Sequence, residues 1–181
     1  MDPKRITVFG SANAKPGDPL YQDSLLLGRL LAEAGYTVLT GGYIGTMEAV
    51  SRGAAEAGGH VIGVTCAEIE AWRGVRANAW VIEEMRFPTL RERLLALIDE
   101  CDAALALPGG IGTLTEITTM WNHLLIDAIH PRPLIAIGPG WQAIIEQFYA
   151  QMGSYIPQTQ RSWLQCSPDV ATAVALLRLN K

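Results

Sequence analysis

Four glycine clusters in this chain each follow a short apolar run and open a stretch of helical spacing: Gly10-Ser11, Gly41-Gly42-Tyr43-Ile44-Gly45, Gly109-Gly110-Ile111-Gly112-Thr113 and Gly138-Pro139-Gly140. Glycine at such a turn lacks the Cβ that would hold an anion off the backbone, and it reaches φ > 0 without strain. The helix that follows aims its first N–H groups, with the positive end of its dipole, at the same place. The chemistry these turns support is therefore phosphate binding. Tight turning alone would explain any one of them, whereas several on one edge of a sheet argue for a shared anion site. The spacing is neither the G-x-G-x-x-G of dinucleotide enzymes nor the G-K-[ST] ending of a P-loop, so NAD chemistry and NTP hydrolysis lose support.

The elements that must position the turns alternate. Strands are expected at Ile6–Phe9, Thr37–Thr40, His60–Thr65, Trp80–Ile82, Ala103–Leu107 and Leu134–Ile137. Helices are expected from Leu20 to Ala34, Met47 to Ala57, Pro88 to about Asp99, Thr113 to about Ile126, Trp141 to Gln151 and Val170 to Leu179. In the fourth of these strand–helix units, Leu90, Leu94, Leu95 and Ile98 are expected to face inward. Residues 66–79 lose periodicity and read as an excursion near the strand ends, a candidate lid, and residues 157–168 read as irregular. Alternation of this kind implies an α/β chain of one domain: a Rossmann-like, doubly wound parallel sheet with helices on both faces. The wholly apolar Ala103–Leu107 run belongs near its centre.

Bulk properties exclude several classes. Of 181 residues 49% are hydrophobic and 18% charged, enough apolar material for a core. A formal charge of −4 and the absence of a Lys/Arg run give no purchase on nucleic acid. The amino-terminal segment from Met1 is too short for a secretory apolar region, and no run approaches the ~20 residues a membrane span needs, so a cytoplasmic protein is expected. Cys66, Cys101 and Cys166 are odd in number and widely separated, and His60, His123 and His130 share no ligand spacing. Neither a metal nor a cofactor is expected.

The stretch Pro108-Gly109-Gly110-Ile111-Gly112-Thr113-Leu114-Thr115-Glu116 resembles the PGGxGTxxE signature of the "Lonely Guy" family, phosphoribohydrolases that release cytokinins from riboside 5′-monophosphates. Gly10-Ser11 after the first strand, Tyr21, the turn Gly41–Val50 and an arginine fifteen residues before the motif proline, Arg93, extend the likeness over roughly Ile6 to Gln147. The family's GGGxxGLMG is here TGGYIGTME, its Arg-Lys pair is Arg93-Leu94, and its tandem Glu-Glu is Thr115-Glu116.

The resemblance implies roles. Glu116 would be the catalytic carboxylate beside an oxocarbenium-like transition state, and Arg93 would pair with it or with the substrate and assist departure of the base. Gly42, Gly109, Gly110, Gly112 and Thr113 would receive the 5′-phosphate, and Ser11 would touch phosphate or ribose; Met85 and Arg86, by their place just after the expected fourth strand, are candidates to line the base or sugar pocket. It also implies a homodimer built on the helix carrying Met120, Trp121, Leu124 and Leu125. Competing structural roles stand beside these. Thr113-x-x-Glu116 also reads as a capping box, Ser11 as a turn residue, and Arg93 as a solvated surface arginine. Two functions follow as expectations: hydrolysis of the N-glycosidic bond of a purine nucleoside 5′-monophosphate, or non-catalytic binding of a nucleotide or of molybdenum cofactor. Lysine decarboxylation is excluded, because Lys4, Lys15 and Lys181 have no pocket context for a Schiff base.

Overall fold

The computed structural model describes residues 4–179, so Met1 and Lys181 of the reading above lie outside the described residues. The chain runs β1 (Arg5–Phe9), α1 (Pro19–Glu33), β2 (Thr37–Thr40), α2 (Thr46–Glu56), β3 (Val61–Cys66), α3 (Ala67–Arg73), β4 (Glu83–Phe87) and α4 (Leu90–Asp99). It continues β5 (Ala103–Ala106), α5 (Ile111–Leu125), β6 (Leu134–Ile137), α6 (Pro139–Met152), a 3-10 turn (Gly153–Tyr155), α7 (Gln158–Arg161), β7 (Gln165–Ser167) and α8 (Val170–Leu179). The strands form one seven-stranded sheet in the order β4-β3-β2-β1-β5-β6-β7. Every pairing is parallel; Ile6, for instance, faces Val38 on one side and Ala103 on the other. The doubly wound architecture expected from the alternation is thus the observed one.

Side chains alternate between the two faces of each strand, and each face has its own core. Ile6, Val8, Val38, Leu105 and Ile135 meet α1, α2 and α8 on one side. Phe9, Leu39, Ile62, Ala104 and Leu134 meet α4, α5 and α6 on the other. On the first side α1 and α2 approach so closely that a Cβ on Gly28 would lie 2.0 Å from the Val50 carbonyl oxygen, and one on Gly53 1.9 Å from that of Leu25.

Five local expectations need correction. The fourth strand is Glu83–Phe87 and not Trp80–Ile82: Asn78 folds its side chain back to bond the Gly42 and Tyr43 carbonyls and the Trp80 N–H, which turns the chain before pairing can start. This is an edge strand, where charged residues are tolerated, so its composition conceals it. Residues 66–79 contain α3, and residues 157–168 contain α7 and β7. The helix after Pro88 starts at Leu90 behind a true capping box, Thr89 with Glu92, and its buried positions are Arg93, Ala96, Leu97 and Ile98, while Leu90 is exposed. Finally α5 starts at Ile111 with Gly110 as its cap, so Thr113 is inside the first turn and the Thr113–Glu116 capping box does not form.

Candidate active site

The chain order reverses between β1 and β5: β2, β3 and β4 extend the sheet to one side of β1, and β5, β6 and β7 to the other. The crevice beyond the carboxyl ends of the strands at such a switch is where α/β sheets take their ligands. A cavity of about 420 Å³ lies there, walled by Gly10 and Ala12 after β1, by Ile111, Gly112, Thr113, Thr115 and Glu116 of α5, and by Arg93 of α4.

Arg93 is buried, with only 6% of its surface exposed. Its Nε donates to the Val64 carbonyl at 2.8 Å and its Nη2 to the Gly41 carbonyl at 3.3 Å. The guanidinium also stands 5.7 Å from the centre of the Tyr43 ring. Tyr43 is itself pinned, its hydroxyl donating to the Cys66 carbonyl at 3.0 Å and accepting from the Cys66 N–H at 2.7 Å. Space for the arginine requires a glycine at 41, where a Cβ would lie 1.9 Å from Nη2. Held in this way, Arg93 brings Nη1 to 3.9 Å from Glu116 Oε1.

Glu116 projects from the second turn of α5, its side chain 13% exposed. Burial pushes its carboxyl up from an ordinary 4.5 to about 7, against the opposing pull of the Arg93 charge. An acid tuned to neutrality, inside a cleft and paired with one cation, has the signature of a reacting group. Beside it, Ile111, Gly112 and Thr113 form the first turn of α5, whose N–H groups have no carbonyl within the helix to bond. A Cβ on Gly112 or Gly110 would meet nothing within 4 Å, so the backbone there is open to a ligand. Gly109 instead accommodates Thr113, whose Oγ1 would lie 2.1 Å from its Cβ.

The structure thus gathers Arg93, Glu116, Gly112 and Thr113 around one cavity, with Gly109 and Gly110 at its α5 edge. The other candidates sit differently. Ser11 accepts the Asn13 N–H on its Oγ at 3.0 Å and receives Thr46 on its carbonyl, so it ties the β1 turn to α2, while its neighbours Gly10 and Ala12 face the cavity. Gly42, at φ +76°, turns the chain over β3, where a Cβ would strike Thr65. Met85 packs on the core beside α4, and Arg86 is engaged with Glu70 at 2.8 Å, outside the cavity wall. Met120, Trp121 and Leu124 are core residues, with the Trp121 indole N–H donating to the Gln160 carbonyl.

Sequence reasoning missed a whole wall: Tyr43, Met47, Ile69, Trp72, Leu90 and Leu94. Apolar residues facing a cleft have the same periodicity as apolar residues facing a core, and only the proximity of the 66–79 excursion to the strand ends hinted at part of it. Among the described residues no three His, Cys, Asp or Glu side chains are grouped to hold a metal, and no helix is long and apolar enough to cross a membrane.

Known proteins are similar to this chain in sequence and in fold. The chain is 28% identical over 194 residues, covering 97% of this chain and 90% of the other, to a cytokinin riboside 5′-monophosphate phosphoribohydrolase of Rhodococcoides fascians. It is 30% identical over 143 residues, 76% of this chain and 73% of the other, to the protein of that name from Mycobacterium marinum. In fold it is similar to the molybdenum cofactor binding protein of Rippkaea orientalis, with a TM-score of 0.78 at 21% identity, 99% of this chain and 98% of that one being covered. The profile of the SLOG cluster4 family matches residues 3–156, most of the chain, and the chain belongs to that family.

Proposed function

We propose that this protein is a hydrolase that cleaves the N-glycosidic bond of a purine nucleoside 5′-monophosphate, giving free base and ribose 5-phosphate. The observation that carries the reading is the buried Arg93–Glu116 pair set in the cavity beside the first turn of α5. In this scheme the 5′-phosphate lies on the backbone N–H groups that open α5, with Gly109, Gly110, Gly112 and Thr113 shaping the seat. The C1′–N bond breaks with its electron pair leaving on the base. Ionised Glu116 stabilises the positive charge that develops on the sugar and orients the attacking water, whose oxygen bonds to C1′ and whose proton passes to the departing base. Arg93 holds Glu116 in the charged form long enough to act, by opposing the effect of burial.

The relatives' names support a cytokinin riboside monophosphate as the substrate. A cytoplasmic setting is supported by three free cysteines. A homodimer is supported by Ile144, Phe148 and Met152, which lie at four-residue spacing along α6 and are 55%, 45% and 47% exposed.

The test is release of free base from AMP and from N6-isopentenyladenosine 5′-monophosphate by the wild type and by Glu116→Gln. Release by the wild type and loss of at least ~100-fold in the variant, the scale of one electrostatic catalytic group, is the expected result. Nucleotide binding without release by either protein would overturn the hydrolase and leave a nucleotide-binding protein.

A further inference from the structure

Helix α3 contributes three residues to the cavity, Ile69, Trp72 and Arg73. They are separated by three and four positions and so share one helical face. The two carboxylates of α3 leave the helix on either side of that face, about 100° away from Ile69 at 3.6 residues per turn. Both are tied down. Glu68 accepts the Leu90 N–H at 2.7 Å, which fixes α3 to the start of α4. Glu70, only 6% exposed in its side chain, accepts from Arg86 at 2.8 Å and Arg76 at 3.0 Å, and the two arginines hold its carboxyl below the usual range. Gly74, at φ +64°, ends the helix directly after Arg73. A seven-residue helix has little stability of its own, and here it is held in place by its flanks, with its free face turned to the cleft.

On that face Trp72 is 76% exposed. One side of its indole is covered by the Arg73 guanidinium, 4.8 Å from the ring centre. A large aromatic surface left in solvent at the mouth of a cavity is unfavourable for the fold alone, and it suits an aromatic ligand. The same cavity has an apolar lining: Ile69, Leu90, Leu94 and Ile111 all face it.

We infer that α3 is the base-recognition platform of the site: Trp72, braced by Arg73, stacks on the purine, and Ile69, Leu90, Leu94 and Ile111 receive an apolar substituent carried by that base. The inference rests on the nucleotide reading of the cavity, and it assigns substrate discrimination to residues outside the glycine turns and outside the reacting pair. Because Trp72 is exposed, replacing it does not open the core.

Two measurements test it. In the Glu116→Gln background, tryptophan emission is titrated with N6-isopentenyladenosine 5′-monophosphate and with ribose 5-phosphate, with and without Trp72→Phe. Quenching by the nucleotide alone, removed by Trp72→Phe, is expected. In the otherwise wild-type chain, Trp72→Ala is expected to raise KM for the alkylated nucleotide by about ten-fold or more, as loss of one base–aromatic stack does, with Trp72→Phe restoring most of it. Arg73→Gln should raise KM about two- to five-fold, the scale of an exposed cation–π contact. Hydrolysis with unchanged KM and unchanged preference in Trp72→Ala would overturn the platform while the hydrolase stood. Trp72-dependent quenching in a protein that releases no base would do the opposite, and quenching that survives Trp72→Phe would overturn the platform on either reading.

Discussion

Glu116 and Arg93 work against each other at atomic scale, and the balance sets a pH dependence. Burial favours the neutral carboxyl and the arginine favours the charged one; the outcome is a value of about 7. Since the proposed chemistry uses the carboxylate, kcat/KM should rise about ten-fold per pH unit below 7 and level off above it, which a pH–rate profile checks. Stability should run the other way. With the folded value above the ordinary 4.5, the fold favours the protonated form. That contribution is complete below about pH 4.5, is lost as pH rises to about 7, and amounts to roughly 3 kcal/mol at 1.36 kcal/mol per unit. Denaturant unfolding of Glu116→Gln should therefore gain on the wild type between pH 5 and pH 8, even as activity disappears. In the proposed reaction Glu116 would weaken the fold in the state in which it works, the usual trade between stability and activity.

At the scale of elements, the site is a product of close backbone approaches. Arg93 reaches its two carbonyls because Gly41 has no side chain, and α2 can start beside β1 because Gly10 leaves room for Thr46, whose Oγ1 would lie 2.3 Å from a Cβ there. The α1–α2 contact depends on the same device, so Gly28→Ala should destabilise by about 1–3 kcal/mol, the usual range for overpacking. The check is the denaturant midpoint with an unchanged slope. These elements were legible to different degrees. The central strands were readable because an interior parallel strand is a continuous apolar run, and the residues of the buried Arg93–Glu116 pair were singled out through the motif around Glu116. Strand β4 was hidden, since Glu83, Glu84 and Arg86 on an edge look like a loop, and Asn78 moved the turn by several residues through bonds to carbonyls over thirty positions away. The inward face of α4 was legible in part: Ile98 is buried and Leu94 packs against the core as expected, but Leu90 is exposed beside the cleft and a charged residue, Arg93, takes a buried position. Local pattern records polarity; it does not distinguish a core from a ligand wall.

For the whole molecule, the apolar stripe on α6 bears on assembly. Trp121 meets Phe148 and Tyr149 edge to face, at 6.3 and 6.0 Å between ring centres, and Phe148 lies tilted against Tyr149 at 6.3 Å. Phe148 belongs to that cluster and is also 45% exposed, so it extends the protomer's aromatic core outward to the surface. In the proposed homodimer this ring is covered by the second copy. Phe148→Glu should then shift sedimentation from dimer to monomer while leaving the circular dichroism of the fold in place, and an unchanged sedimentation coefficient would remove α6 from the interface.

The position of β1 has a consequence for how the chain is made. Its middle residues hydrogen-bond β2 on one side and β5 on the other, and Phe9 faces Ala106 across the sheet. A ribosome must therefore deliver about a hundred residues before the first strand acquires its second neighbour, and in that interval one edge of β1 is unpaired. Nascent chains arrested ahead of Ala103 should be captured by holding chaperones, and release should follow once β5 has cleared the exit tunnel. The topology that creates the cleft between β1 and β5 also makes that seam the last part of the sheet's centre to close during synthesis.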